Sequence, residues 1–246
     1  MTKLSVNLNK VALLRNQRDV GIPSVLAAAE TVIKAGAHGV TVHPRPDERH
    51  IRYSDAYDLR ALLKGYPDTE FNIEGNPFTG KLMELLRDIR PHQATLVPDE
   101  PGQNTSDHGW DITANAARLT PVVDELKSLG IRVSVFMDAA TGIERAADVG
   151  VDRVELYTEP YARAFRENDN VDRSIAQFAA AAKAAQGAGL DVNAGHDLNL
   201  NNLGKFLHGV KGVLEVSIGH ALIAEALETG LTNTVRQYIK ILNTEF

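Results

Sequence analysis

The chain has 246 residues, 43% of them hydrophobic and 24% charged, the composition of a soluble globular protein and the usual length of an α/β barrel. A formal net charge of −6 argues against broad nucleic-acid binding but not against a small anionic ligand, which needs only a few local cations. The absence of cysteine excludes disulfides, thiolate metal sites and a cysteine nucleophile, and fits a reducing cytoplasm. The opening residues, "MTKLSVNLNK", hold no apolar segment long enough for a signal peptide, and no run reaches membrane-spanning length. A cytoplasmic protein without a membrane span is expected.

Short apolar, β-branched runs recur along the chain, and each hands on to polar residues. The first, residues 4–8, supplies Asn7 and is followed by Asn9 and Lys10. The second, residues 39–42, breaks into "HPRPDERH", where Pro44 and Pro46 forbid a helix and stiffen a loop bearing His43, Arg45, Arg49 and His50. The third, residues 70–73, ends in Glu74. After the fourth, residues 94–97, comes "PDEPGQNTSDHGWD", a connection long enough to be a lid, with Trp110 as a packing anchor at its far end. The fifth, residues 131–136, leads to Asp138, and the sixth, residues 153–156, carries Glu155. The seventh, residues 190–192, leads to Asn193 and His196. The eighth, residues 213–218, runs into Gly219 and His220 and then directly into a helix.

Between these runs lie segments with helical spacing, such as "SVLAAAETVIKAGA", "GKLMELLRDIR" and "SIAQFAAAAKAAQGAGL". Near-continuous apolar strands alternating with helices imply a parallel sheet covered by helices. Eight such units in 246 residues favour a closed (β/α)8 TIM barrel with extra helices. No linker or composition shift divides the chain, so residues 1–246 read as one domain.

In a closed barrel the active site forms at the carboxyl ends of the strands. Four histidines and two glutamates would then meet at one mouth. The helix beginning at Gly219–His220 offers a phosphate cradle, and Arg45, Arg49 and His50 a second anion clamp. Two facing anion sites imply two phosphorylated substrates or one bisphosphate. From the residues alone, other readings stay open. A zinc hydrolase could use His43, His196 and His220, although its usual His-x-His pair is replaced here by "VNLNK". A Schiff-base aldolase would need a strand-end lysine, and only Lys10 lies near one. A non-catalytic phosphate-binding barrel would leave Glu74 and Glu155 without a use.

Taken in order, "VNLNKVALLRNQR", "GVTVHPRPDERHI", "FNIEGNP", "LVPDEPGQ", "VELYTEPYA", "VNAGHDLN" and "SIGHALI" resemble the pyridoxine 5′-phosphate synthase family. The resemblance implies condensation of 3-amino-2-oxopropyl phosphate with 1-deoxy-D-xylulose 5-phosphate to give pyridoxine 5′-phosphate, phosphate and water. It implies His43 and Glu74 as proton acceptors, His196 as proton donor and Glu155 as the carboxylate that stabilises the transition state. It implies that Asn7, Arg18, Asp197, Gly219 and His220 bind the aminoketone phosphate. Asn9, Lys10, Arg45, His50 and Ser106 fall on positions that bind the sugar phosphate. No metal or cofactor is implied, and the assembly would be a homo-oligomer, an octamer. Three positions depart from the commoner family residues: Asn9-Lys10 replaces an Asp-His pair, Ser106 replaces threonine, and Asp197 stands where glycine is common.

Overall fold

The computed structural model describes residues 1–100 and 102–244. Its strands are β1 (Lys3–Asn7), β2 (Gly39–Val42), β3 (Glu70–Gly75), β4 (Gln93–Leu96), β5 (Arg132–Met137), β6 (Arg153–Leu156), β7 (Asp191–Ala194) and β8 (Val213–Ile218). They pair in parallel in sequence order, and β8 closes on β1 through Leu4–Val216 and Val6–Ile218 to complete a barrel. Helices α1 (Asn9–Arg15) and α2 (Val25–Lys34) follow β1, and α3 (Tyr53–Leu63), α4 (Leu82–Ile89) and α5 (Ile112–Ser128) follow β2, β3 and β4. A 3-10 helix at Ile143–Val149 follows β5. Helices α6 (Glu159–Glu167) and α7 (Val171–Gly187) follow β6, α8 (Leu203–Gly209) follows β7, and α9 (His220–Thr229) and α10 (Leu231–Leu242) complete the ring. Among the described residues no helix is long and apolar enough to cross a membrane.

The strand periodicity differs from the near-continuous apolar runs expected. Successive side chains alternate between two faces. Leu4, Val6, Val40, Val42, Ile73, Val133 and Val135 are fully buried and join the core under the helices. The intervening residues are polar and bond to one another: Ser5 to Thr41 at 2.7 Å, Asn72 to Thr41 at 3.4 Å and Thr95 to Asn72 at 3.1 Å. Asn193 of β7 reaches Gln93 of β4 at 3.5 Å. Those strands are not neighbours, so this contact crosses the barrel. The inside of the barrel is therefore polar, where barrels of this class usually carry branched aliphatic layers.

Strand ends also move by one or two residues, for a local reason. Leu8 still donates its N–H to Thr41 O at 3.0 Å, but its backbone (φ −92°, ψ 5°) already turns into α1. Asn9 and Lys10 thus sit in the first turn of a helix rather than in a loop. At the other side of the barrel Gly195, just after β7, is required by close approach. A Cβ there would lie 2.3 Å from Ser217 O and 3.2 Å from Glu155 Oε1. Relieving that overlap would push β7 from β8, at a cost near the upper end of the about 1–3 kcal/mol typical of overpacking. Gly195→Ala should consequently lower the melting temperature by about 5–10 °C in calorimetry; an unchanged melting temperature would show that the two strands can part there freely.

Candidate active site

A cavity of about 310 Å³ opens at the carboxyl ends of the strands. Of the residues the family resemblance assigns to catalysis or substrate binding, all border it except Arg18. Arg18 lies exposed beyond the C-terminal end of α1, where the chain has left the barrel rim. Arg49 does not border it either; it shares a smaller cleft with Arg45 and pairs with Asp47 at 2.6 Å. Asp138 stays at the surface, and Asn193 lies beneath the mouth, bonded to Arg153 at 3.2 Å.

The first corner of the site is a chain of contacts from α1 to β3. Asn9 accepts the His43 backbone N–H at 2.9 Å, and Asn7 accepts the Asn9 N–H at 3.0 Å while donating to Glu74 Oε2 at 3.3 Å. His43 stands between two carboxyl groups, its Nδ1 4.0 Å from Glu74 and its Nε2 3.9 Å from Asp99. Both separations are too long for hydrogen bonds. Burial holds the His43 pKa well below the usual histidine value, and Arg45, His50 and Arg49 push it the same way. Burial also raises Glu74 to about 8, helped by the carboxyls of Asp99 and Glu215. Glu155 rises well above the carboxylate range through burial, then through Glu74 and Glu215, and its Oε2 is buried without a hydrogen-bond partner. At neutral pH the mouth therefore holds a neutral imidazole with a free lone pair beside protonated carboxyl groups.

The second corner is the loop after β2. Arg45 donates to Asp99 and, at 2.9 Å, to the backbone oxygen of Gln103. Those two bonds leave most of its five N–H donors free for an anion. His50 accepts the Ile51 N–H on Nδ1 at 2.9 Å, which places the proton of the neutral ring on Nε2. Its pKa is pushed down to about 4 by burial, then by Arg45, Lys10 and Arg49. His50 is thus a neutral donor and not the second cation that the sequence led us to expect. The loop is pinned from α1: Asn16 donates to the His50 carbonyl at 2.8 Å, and Arg15 bridges that carbonyl (3.1 Å) to Asp55 (2.9 Å).

The third corner joins β7 and β8. His196 is fixed through its carbonyl by Thr158 at 2.7 Å, by Asp197 on Nδ1 at 3.3 Å and by Thr105 on Nε2 at 3.0 Å. Asp197 adopts φ +65°, a left-handed conformation that glycine takes without strain, which accounts for glycine being common at this place in the family resemblance. Its carboxyl is held below the usual range mainly by the His196 hydrogen bond. Gly219 begins α9, and a Cβ on it would come within 3.1 Å of Asn7 Cβ. The first backbone N–H groups of α9 have no side-chain cap, and Gly219 and His220 both border the cavity.

Several residues at or beside the site carry no sequence signal strong enough to single them out. Asp99 binds Arg45, accepts from Ser106 at 2.9 Å and approaches His43, with its own pKa raised by burial. Its one sequence signal is an acidic residue directly after the fourth strand, which a solvated loop carries equally often. Val97 and Phe136 close the fourth and fifth apolar runs, yet both border the cavity. From the connection expected to be a lid, Gln103, Thr105 and Ser106 reach Arg45, His196 and Asp99; Pro101 of that segment lies outside the described residues. Trp110 is a packing anchor, its indole N–H on Leu96 O at 3.0 Å and its ring edge-to-face with Phe78. Among the described residues no three His, Asp or Glu side chains are grouped to hold a metal ion, so the histidines weighed as zinc ligands do not assemble as such.

A closed parallel barrel with buried titratable groups at the carboxyl ends of its strands defines a protein of the (β/α)8 class. Solved structures agree on the fold alone: 3-keto-L-gulonate-6-phosphate decarboxylase from Vibrio cholerae superposes with a TM-score of 0.64 at 10% identity, covering 100% of this chain and 99% of the other. Phosphoribosyl anthranilate isomerase from Thermotoga maritima gives 0.59 at 14%, covering 98% of each. Sequence comparison is sharper. Residues 4–244 match the family described as pyridoxal phosphate biosynthesis protein PdxJ, and the chain belongs to that family. It is 54% identical to the pyridoxine 5′-phosphate synthase of Albidiferax ferrireducens over 98% of this chain and 97% of the relative. Identity to the synthase of Xylella fastidiosa (strain 9a5c) is also 54%, over 99% and 95%.

The raised pKa of Glu74 has a consequence for stability. In the unfolded chain the carboxyl releases its proton near pH 4.3, whereas the folded protein holds it to about pH 8. Between those values the native state binds more protons than the unfolded state, so this group's contribution to stability falls as pH rises from about 4.3 to 8. Glu74→Gln, which cannot ionise, should melt higher than the parent at pH 8, with the gap closing toward pH 5. A gap that stays constant across this range would show that the folded carboxyl does not retain its proton.

Proposed function

We propose that this chain condenses 3-amino-2-oxopropyl phosphate with 1-deoxy-D-xylulose 5-phosphate to pyridoxine 5′-phosphate, phosphate and water. The observation that carries the reading is the placement of buried, oppositely shifted acid–base groups between two separate anion-binding corners, in a chain 54% identical to synthases of that name. The substrate brings its own amine, so imine formation needs no enzyme lysine. Ring closure then needs repeated proton removal and loss of hydroxyl groups, which suits several acid–base groups.

In this reading neutral His43 is the first proton acceptor. Glu74 starts protonated and accepts a proton only after giving up its own. His196 donates to departing oxygens, and Glu155 is the carboxyl group that stabilises the transition state. Arg45, His50, Ser106, Asn9 and Lys10 serve the sugar phosphate. Asn9 does so indirectly, since its side-chain oxygen is engaged by the His43 backbone. Asn7, Asp197, Gly219 and His220 serve the aminoketone phosphate. Arg18, exposed beside the exposed apolar side chains Leu14, Val20 and Ile22, serves the cavity of a neighbouring copy in a homo-oligomer, an octamer by the family resemblance. The partners are small phosphorylated molecules, with no nucleic acid, and the protein works in the cytoplasm without a cofactor.

Incubation with both substrates should release phosphate and generate product fluorescence together, and either substrate alone should give neither; phosphate release without product would overturn the proposal. Glu74→Gln and His196→Asn should each lose at least about a hundredfold in turnover while still binding phosphate ligands. Near-normal turnover would remove that residue from the acid–base set. Arg45→Ala and Lys10→Met should raise the Michaelis constant for the sugar phosphate far more than that for the aminoketone phosphate. An equal rise for both would merge the two anion sites into one.

A further inference from the structure

We infer that Val97 and Phe136 form the seat for the methyl group of the deoxyketose, and so make the site prefer a 1-deoxy sugar phosphate over its 1-hydroxy counterpart. The inference rests on the condensation proposed above. The lining of the cavity is otherwise almost entirely polar, and these two side chains are its apolar exceptions among the described residues. Both are only 2% exposed, and with Tyr157 they form a small apolar cluster separate from the main core. The Phe136 and Tyr157 rings lie 5.4 Å apart, and the Tyr157 ring meets His196 edge-on at 5.3 Å, so the patch adjoins the acid–base groups.

The position suits the chemistry. The patch lies at the ends of the adjacent strands β4 and β5, across the mouth from β8 and β1 and two to three strands round the barrel from β2, which leads into the Arg45–His50 loop. A ketose held there by its terminal phosphate directs the opposite end of its carbon chain away from that corner. In the deoxyketose that end is a methyl group bonded to the carbonyl carbon that condenses with the amine. The methyl carbon takes no part in bond making and remains on the ring, so a fixed wall can read it in substrate and product alike.

A hydroxyl at this place would find few partners. The Val97 N–H already donates to Gly75 O at 3.0 Å, the Phe136 carbonyl accepts from Trp110 N at 2.9 Å, and the Tyr157 N–H donates to Met137 O at 2.9 Å. An apolar pocket rejects an isostere that adds a hydroxyl by about a hundredfold. That is the discrimination expected between 1-deoxy-D-xylulose 5-phosphate and D-xylulose 5-phosphate.

Val97→Thr keeps the shape of the wall and replaces one methyl with a hydroxyl. The ratio of kcat/KM for the two ketose phosphates should fall at least about tenfold in this variant. The Michaelis constant for the aminoketone phosphate should stay unchanged, which general loosening of the fold would not allow. Phe136→Tyr adds a hydroxyl to the same wall and reads the same ratio should Val97→Thr fail to fold. A wild type that treats both ketoses alike, or folded variants that keep the wild-type ratio within twofold, would overturn the inference. Calorimetric binding of the two ketose phosphates to the wild type and the variants separates the two levels of argument. A binding preference that shifts in the variants, in a protein that forms no product, would fault the proposed reaction and leave the apolar seat standing. Equal binding of both ketoses would remove the seat.

Discussion

The site depends on one constraint: titratable groups are buried together at the barrel mouth with too few counter-charges to keep them ionised. Removing a carboxyl or an imidazole from water penalises its charged form, and among the described residues no protein cation sits within hydrogen-bond distance of Glu74 or Glu155 to offset this. The result is a neutral His43 beside protonated carboxyl groups, an inversion of what the same residues do in water. Groups of both kinds then stand near the protonation states in which they exchange protons at neutral pH. The polar interior below extends the same environment downward. Glu215, buried at the far end of β8, is also raised to about 7, by burial and by Glu70, although Arg153 opposes the shift.

Holding such groups in place requires a rigid frame, and the structure supplies it through backbone contacts more than through charge. His43 is fixed by its own N–H on Asn9, His50 by its carbonyl on Arg15 and Asn16, and His196 by its carbonyl on Thr158. In each case one anchoring atom is on the main chain; among the described residues the His43 ring makes no hydrogen bond of its own, whereas the His50 ring also accepts from Ile51 and the His196 ring is also held by Asp197 and Thr105. Helix α1 matters beyond its length: one turn carries Asn9 under His43, and the last carries Arg15 against Asp55 and the loop after β2. A single short helix thus couples the acid–base corner to the phosphate clamp.

Much of this was legible in the sequence. Eight strand–helix units imply the closed barrel, and the rule that sites form at strand ends gathers His43, Glu74, Glu155, His196 and Gly219 at one mouth, where the cavity lies. What was misjudged had physical reasons. The polar interior was visible as alternation in "LSVNL" and "FNIEG", but short strands rich in valine and leucine mask a period of two. Asp99 was missed because its value comes from folding back onto Arg45, a tertiary contact with no local pattern. The charge of His50 was misassigned because neighbouring cations, which attract a phosphate, also expel a proton from the ring.

The two anion corners differ in kind, and the difference fits the different fates of the two phosphates in the proposed reaction. The sugar phosphate departs, so negative charge grows on the bridging oxygen as its bond breaks. A guanidinium with free donors and a neutral imidazole N–H strengthen as that charge develops, which lowers the barrier and not only the dissociation constant. The aminoketone phosphate stays on the product. It needs holding with equal strength from start to finish, and any binding that grew along the way would slow release. In the proposed reaction the backbone N–H groups at the start of α9 would supply such constant binding: their dipoles are fixed, and the exposed His220 leaves that end open to solvent. Placing the permanent guanidinium charge at the end where a bond breaks, and fixed dipoles at the end where none does, lets one mouth hold two phosphates while activating only one.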